Sequence, residues 1–284
     1  MFRRISLLTF LLFAVASCHS AAGDETNHPV RPSNLQSGWN RNLNIGGVPY
    51  DIYVPTNFRS RALLLLPGWN FPKTGWIDNT RIVAFAEKFG YALAAPEMLR
   101  TVYESEYYPE TTLKWNPVPG GRFIKEIFLP ELRKRHGLFN AGQNNVILGL
   151  STGGRGVALV SLENPGIFRA AAALSGDFSQ ENMPGDNLMR ALYGPIASFR
   201  ARWTGRDNPM SRVAEWQIPL YLSHGRSDTV VPEAQSRLFY EALKKQGSSL
   251  RVVYDAVENQ GHDYRFWDGR LDAVFNFFEE AMTP

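Results

Sequence analysis

The feature that most constrains this chain is a series of short, unbroken apolar runs separated by helical patterns. Ala62-Leu63-Leu64-Leu65-Leu66 is one, stopped by Pro67-Gly68. A strand with one wetted face alternates apolar and polar residues, so a run without alternation is buried on both faces, as in a parallel sheet covered by helices. Similar runs recur at Tyr91 to Ala95, Val146 to Leu150, Ala170 to Leu174, Ile218 to Ser223 and Leu250 to Val257. Between them lie helical patterns at about Asn79 to Phe89, Gly121 to His136, Gly154 to Leu162, Pro232 to Gln246 and Gly269 to Met282. This alternation predicts an α/β fold: a mostly parallel central sheet with helices on both faces. Leu43 to Val54, with Gly46-Gly47 between two alternating segments, reads as an opening hairpin.

No internal repeat and no shift of composition marks a second domain, so residues 41–284 are expected to form one domain. With 284 residues, 44% of them apolar, the chain is long enough to bury a sizeable core. Two intervals are long, Glu97 to Gly120 and Asp177 to Gln217. Connections beyond about 15 residues in a compact domain usually carry function. The second is expected to hold a helix near Asn187 to Arg200.

The N-terminus reads as an address. Arg3 and Arg4 precede an apolar run from Ile5 to Ala16, broken by Ser6 and Thr9 and followed by small residues, as in a secretory signal peptide. That run is about twelve residues, short of the roughly twenty that cross a bilayer as a helix. The single cysteine falls at the junction, in Val15-Ala16-Ser17-Cys18, which resembles the lipobox of bacterial lipoproteins. The resemblance implies that residues 1–17 are removed and that Cys18 becomes a lipidated N-terminus, with Val15 where leucine is usual. The alternative is ordinary cleavage after Ala16 or Ala22, with Cys18 incidental. Residues 18–40, rich in small and polar types, are expected to tether the domain, exported and membrane-anchored, facing the periplasm or the cell exterior.

One cysteine excludes an intrachain disulfide framework and any multi-cysteine metal site. The formal charge is +3, and two of the excess cations, Arg3 and Arg4, belong to the leader. The remaining +1 gives no argument for a nucleic-acid partner.

The stretch richest in chemistry is Val146-Ile147-Leu148-Gly149-Leu150-Ser151-Thr152-Gly153-Gly154, a Gly-x-Ser-x-Gly motif with a strand before it and a helix pattern after it. Such a turn must be so tight that its flanking side chains are small, and it lifts the serine hydroxyl above the sheet at the positive end of the helix. A serine hydroxyl alone is a poor nucleophile and needs a base with an orienting acid. Asp228, in His224-Gly225-Arg226-Ser227-Asp228, follows one predicted strand, and His262, in Gly261-His262-Asp263-Tyr264, follows the next. Each residue has a structural alternative. Ser151 can cap the following helix, and Asp228 can cap the helix that starts at Pro232, with Asp177 the substitute acid. Of the five histidines, His19 and His28 lie in the tether, His136 ends a helix, and His224 precedes the acid loop as a structural residue.

The order Ser, Asp, His at the ends of successive strands resembles the α/β-hydrolase superfamily, from about residue 42 to the C-terminus. The resemblance implies Ser151 as nucleophile, Asp228 as acid, His262 as base, and an oxyanion hole made by backbone N–H groups of Thr152 and Trp69. Pro67 stands where the family often has histidine, and Asn70 is the next candidate donor. Leu66-Pro67-Gly68-Trp69, Leu174-Ser175-Gly176 and the acid and histidine loops look most like the esterase-D, polyhydroxybutyrate-depolymerase or feruloyl-esterase branch. Similar acid-loop wording occurs in carboxylesterases and prolyl-oligopeptidase relatives. The implied function is a serine esterase acting on a small-molecule or polymer-linked ester, with no cofactor or metal. A peptidase, an acyltransferase or a non-catalytic ligand-binding lipoprotein are the alternatives. In the first long interval, Tyr108 and Trp115 are candidates for substrate contact, with simple loop packing as the alternative, and Asp177 to Gln217 is expected to form a partial lid.

Overall fold

The computed structural model describes residue 32, residues 34–247 and residues 249–283. The leader, Cys18 and most of the predicted tether lie outside the described residues. No helix among the described residues is long and apolar enough to cross a membrane.

The chain opens with β1 (Gly38–Ile45) and β2 (Val48–Val54), joined at Gly46-Gly47 as the alternation predicts. The domain starts earlier than residue 41, because Gly38 to Asn40 already pair with Ile52 to Val54. A bulge between Asn40 and Leu43, with Asn42 at φ 54°, breaks the alternation and hides this first half of β1 from the sequence. There follow β3 (Arg61–Leu66), α1 (Gly75–Asn79), α2 (Ile82–Phe89) and β4 (Tyr91–Pro96). Next comes α3 (Gly120–Phe123), which runs through a π turn at Ile124–Phe128 into α4 (Leu129–His136). Pro130 offers no N–H to the preceding turn, and the π geometry absorbs that break in the ladder. The remainder is β5 (Asn144–Leu150), α5 (Thr152–Glu163), β6 (Ala170–Leu174), α6 (Asn187–Tyr193), α7 (Ile196–Trp203), β7 (Leu220–Gly225), α8 (Ala234–Lys245), β8 (Val252–Val257), α9 (Tyr264–Gly269) and α10 (Leu271–Met282).

The single helix expected at Asn187 to Arg200 is two, α6 and α7. Gly194, at φ 76°, ends the first, and Pro195 starts the second. The strand expected at Ile218 to Ser223 runs two positions further, which places His224 and Gly225 inside β7.

The eight strands lie in the order β1-β2-β4-β3-β5-β6-β7-β8. β1 and β2 pair antiparallel, β2 joins β4 antiparallel, and all other pairs are parallel. The unbroken apolar runs are explained by alternate residues serving two cores. Leu63, Leu65, Val146 and Leu148 face α2, α9 and α10, whereas Leu64, Leu66, Ile147 and Ala171 face α3 to α5 and α8. The chain moves outward from β3 to β4, then crosses back to β5 on the other side of β3. That reversal leaves a crevice beyond the carboxyl ends of β3 and β5, where open α/β sheets bind ligands.

Candidate active site

Ser151 follows β5 and precedes α5, at φ 55° and ψ −128°, a backbone conformation that side chains other than glycine rarely adopt. Three contacts hold it there. Its N–H donates to Leu174 O at 2.9 Å, and its carbonyl accepts from the N–H of Gly154 at 2.8 Å and of Arg155 at 3.2 Å. The motif glycines are there for closeness. A Cβ on Gly149 would lie 2.1 Å from Gly153 O, and one on Gly153 would lie 2.3 Å from Leu66 O.

The acid loop leaves β7 and folds against the histidine loop that follows β8. Ser227 N–H donates to Gln260 O at 2.9 Å, and Gly225 approaches Gln260 O so closely that a Cβ would lie 2.3 Å from it. Asp263 then caps α9, accepting from Phe266 N–H at 2.9 Å, which fixes the backbone beside His262. The result is a continuous chain of polar contacts. His262 Nδ1 lies 2.6 Å from Asp228 Oδ2, and His262 Nε2 lies 2.9 Å from Ser151 Oγ. Asp228 accepts, so Nδ1 carries the proton and Nε2 is left free to receive one from the serine. Trp267 meets the imidazole edge to face, with centroids 5.1 Å apart, and is itself tied to Ser175 Oγ at 3.1 Å.

The Asp228 side chain is fully buried. Burial works to raise its carboxyl, but contacts from His224 and His262, the charge of the His262 ring and the Val231 N–H outweigh that and hold it well below the ordinary carboxylate range. Its other oxygen accepts from the N–H groups of Val230 and Val231, each at 2.9 Å. Asp177, the substitute acid, is used elsewhere: it is buried and paired with Arg155 at 3.3 Å.

The loop after β3 lies directly against Ser151, since a Cβ on Gly68 would be 3.1 Å from Ser151 Cβ. Among the described residues, neither the Trp69 N–H nor the Thr152 N–H has a backbone acceptor, whereas the Asn70 N–H donates to Leu99 O at 2.8 Å. This favours Trp69 over Asn70 as a donor. Pro67, in place of a histidine, is held through its carbonyl by the buried Tyr103 hydroxyl at 2.8 Å.

The two long intervals meet in a cap. Tyr108, from the first, packs with Trp69 against Met189, Leu192 and Tyr193 of the second. Thr111 Oγ1 donates to Leu192 O at 2.7 Å, and Arg202 pairs with Glu110 at 2.7 Å while stacking 4.3 Å above the Tyr108 ring. Trp115 goes elsewhere, edge-on to Phe123 at 5.4 Å and packed on the main core, as the loop-packing alternative describes. Sequence reasoning missed Arg155, which is completely buried in α5. It donates to Val102 O, Asp177, Gln180, the Tyr193 hydroxyl and Asp207 O, and so ties both intervals to the helix that follows Ser151. A lone guanidinium in a helix of small and apolar residues is the signal that could have found it.

Comparison with known proteins was decisive on ancestry. The model of the prolyl oligopeptidase family matches residues 130–283, more than half of the chain. The chain belongs to the prolyl oligopeptidase family. The matched segment of this family member contains Ser151, Asp228 and His262. A search of curated proteins gave no match. Among solved structures, an S-formylglutathione hydrolase from Agrobacterium tumefaciens is 16% identical, with 89% of this chain and 99% of that one covered and a TM-score of 0.70. A fluorophosphonate-binding serine hydrolase of Staphylococcus aureus is 18% identical over 84% and 93% of the two chains, with a TM-score of 0.65. A ferulic acid esterase is 17% identical over 87% and 100%, with a TM-score of 0.63. At these identities the likeness is one of fold, the α/β-hydrolase fold.

Proposed function

We propose that this protein is a serine hydrolase that cleaves carboxylic esters through an acyl-enzyme. The observation that carries the reading is the unbroken path from Asp228 through His262 to Ser151, at 2.6 and 2.9 Å. His262 Nε2 takes the Ser151 proton as Oγ attacks the ester carbonyl. The Trp69 and Thr152 N–H groups receive the charge that develops on the carbonyl oxygen, and Asp228 stabilises the imidazolium. His262 then gives its proton to the leaving alcohol. Water, activated by the same imidazole, attacks the acyl-enzyme, and its collapse returns the serine proton.

Fluorophosphonate labelling tests the nucleophile: the wild type reacts and Ser151→Ala does not. Unlabelled but folded wild type would favour a ligand-binding role. The reading as an esterase is supported by whole-chain likeness to proteins described as an S-formylglutathione hydrolase and a ferulic acid esterase. A peptidase reading is favoured by the family match. p-Nitrophenyl esters of graded chain length, feruloyl esters and prolyl amides separate the two, and turnover of prolyl amides alone would overturn the esterase assignment.

We further propose that Cys18 carries a lipid anchor and that the enzyme works outside the cytoplasm, on the strength of the Arg3-Arg4 leader and Val15-Ala16-Ser17-Cys18. Several acyl chains give a stable anchor, because each buried methylene contributes about 0.8 kcal/mol and one chain is marginal. Cys18→Ala should release the protein from the membrane fraction; retention there sinks the proposal.

A further inference from the structure

The described histidines outside the triad differ in placement. His136 bonds the Tyr50 hydroxyl at 2.9 Å on the α4 side of the core. His224 stands at the triad itself. Its ring is completely buried in β7, with Nδ1 2.7 Å from Ser236 Oγ on α8, and Nε2 2.9 Å from Val231 O and 3.2 Å from Asp228 Oδ2. A carbonyl and a carboxylate are both acceptors, so Nε2 carries a proton and Nδ1 is set against the serine hydroxyl. One oxygen of Asp228 therefore lies between two imidazoles, His262 Nδ1 on one side and His224 Nε2 on the other.

We infer that His224 is a positioning residue for the triad: through Val231 O it fixes the acid loop, and through Asp228 Oδ2 it draws off part of the carboxylate charge that His262 feels. This inference rests on the hydrolase reading of Ser151, Asp228 and His262. Its physical content is a trade. Each added donor makes Asp228 a weaker acceptor toward His262 while holding the carboxylate in place, so losing the His224 N–H strengthens the Asp228–His262 contact and loosens the acid loop.

Other charges around His224 are engaged elsewhere. From β6 come alanines and Leu174, and beyond it Asp177 is paired with Arg155. Just before α8, Glu233 is met by Tyr254 and Arg237, while Gln235 on the helix accepts from the Phe178 and Ser179 N–H groups. On β8, Asp255 is held by Tyr221 at 2.6 Å and Arg270 at 3.1 Å. Asp228 is the carboxylate that His224 contacts.

The test is the rate of Ser151 labelling by a fluorophosphonate, followed from about pH 5 to about pH 9, the range in which an imidazole titrates. His224→Phe keeps an apolar ring and loses the N–H. Its acid limb should move up by about half to one pH unit, with a slower plateau. His224→Gln carries an amide N–H of similar reach and should return the limb most of the way. If His224→Phe does not fold, Ser236→Ala removes the Nδ1 partner alone, and the limb should move the same way by a smaller amount. A folded variant whose limb coincides with the wild type overturns the inference, because a residue that only packs the core changes amplitude and stability and leaves the limb alone. Wild-type protein that is never labelled would overturn the hydrolase reading, a different result from labelled protein with an unmoved limb.

Discussion

Replacing Arg155 with methionine should show how the cap is held on the domain. The guanidinium is fully buried, and its partner Asp177 has a side chain only 3% exposed. Breaking such a pair from one side costs about 3–5 kcal/mol, because it strands a buried charge. Val102 O, Gln180, the Tyr193 hydroxyl and Asp207 O lose a donor as well. At about 1–3 kcal/mol each, these bring the total to about 7–17 kcal/mol, as large as the roughly 5–15 kcal/mol that stabilises a whole domain. The full sum is therefore never reached. Water enters where the two long intervals meet α5, and the loss is limited to about 4 kcal/mol. For a domain of this size that is a fall in Tm of about 8–16 °C.

Thermal unfolding followed by near-ultraviolet circular dichroism measures the loss. Limited proteolysis should cut within 97–120 and 177–217 before the sheet is attacked. The pH dependence has a definite sign. Burial already pushes the Asp177 carboxyl up, opposed by Arg155; without that cation the carboxyl rises further and takes a proton more readily in the folded state. A folded-state value above the unfolded one means stability is retained at low pH and lost as pH rises through it. The deficit of Arg155→Met should accordingly be larger at neutral pH than in mild acid. Adding Asp177→Asn should restore roughly half of the loss by removing the stranded charge. A Tm fall under about 3 °C, or a double variant no more stable than the single, would refute the reasoning.

Other substitutions test separate parts of the molecule. Burial pushes Asp207 up to about 6 from 3.8, against the Ser105 N–H and Arg155, so stability is lost as pH rises from 3.8 to about 6 and the loss is complete above that. Asp207→Asn should raise Tm at neutral pH, and the gain should vanish below 3.8. Glu163 is the reverse case: burial raises it, but Arg206, Lys125 and Arg212 pull it down to about 2 from 4.5. Glu163→Gln should lower Tm at neutral pH, with the difference closing as pH falls from 4.5 toward about 2; a constant difference would contradict the pairing. Gly153→Ala should abolish labelling of Ser151, since the new methyl meets Leu66 O at 2.3 Å, and labelling at the wild-type rate would show that the elbow does not need this glycine. Asp228→Asn leaves the shape and inverts the tautomer preference of His262, so the labelling rate should drop by about 10⁴-fold. A drop under tenfold would remove Asp228 from the triad.

The parts of this molecule that could be read in the sequence are those whose cause is local. Leu63 to Leu66 form a double-faced strand because adjacent residues serve adjacent cores, and the residues themselves say so. Gly149-x-Ser151-x-Gly153 is legible because the turn excludes side chains within a few residues of itself. Asp228 and His262 follow from the same strand ends. The shift of β7 by two positions, the bulge at Asn42 and the break at Gly194-Pro195 are local as well, but they act against the periodicity on which strand and helix reading depends.

What escaped the sequence is held by contacts between distant segments. Trp115 turns onto Phe123 and Tyr108 turns toward Trp69 and Tyr193, although both tyrosine and tryptophan stand in the same interval and look alike as pocket residues. The deciding contacts are Arg202 on Tyr108 and Thr111 on Leu192, each linking positions far apart in the chain. This division runs parallel to the family match. Residues 130–283 hold Ser151, Asp228, His262, Arg155 and His224, so the groups proposed to activate the serine lie in the matched part. Trp69, the proposed second oxyanion donor, and the 97–120 interval, which forms one wall of the cap, lie outside it. Differences in substrate between this protein and other family members should therefore map to the β3 loop and the first interval. Exchange of residues 97–120 should change the ratio of kcat/KM between short-chain and aryl esters while fluorophosphonate labelling of Ser151 stays intact; a swap that leaves both the labelling and the ratio unaltered would remove that interval from substrate selection.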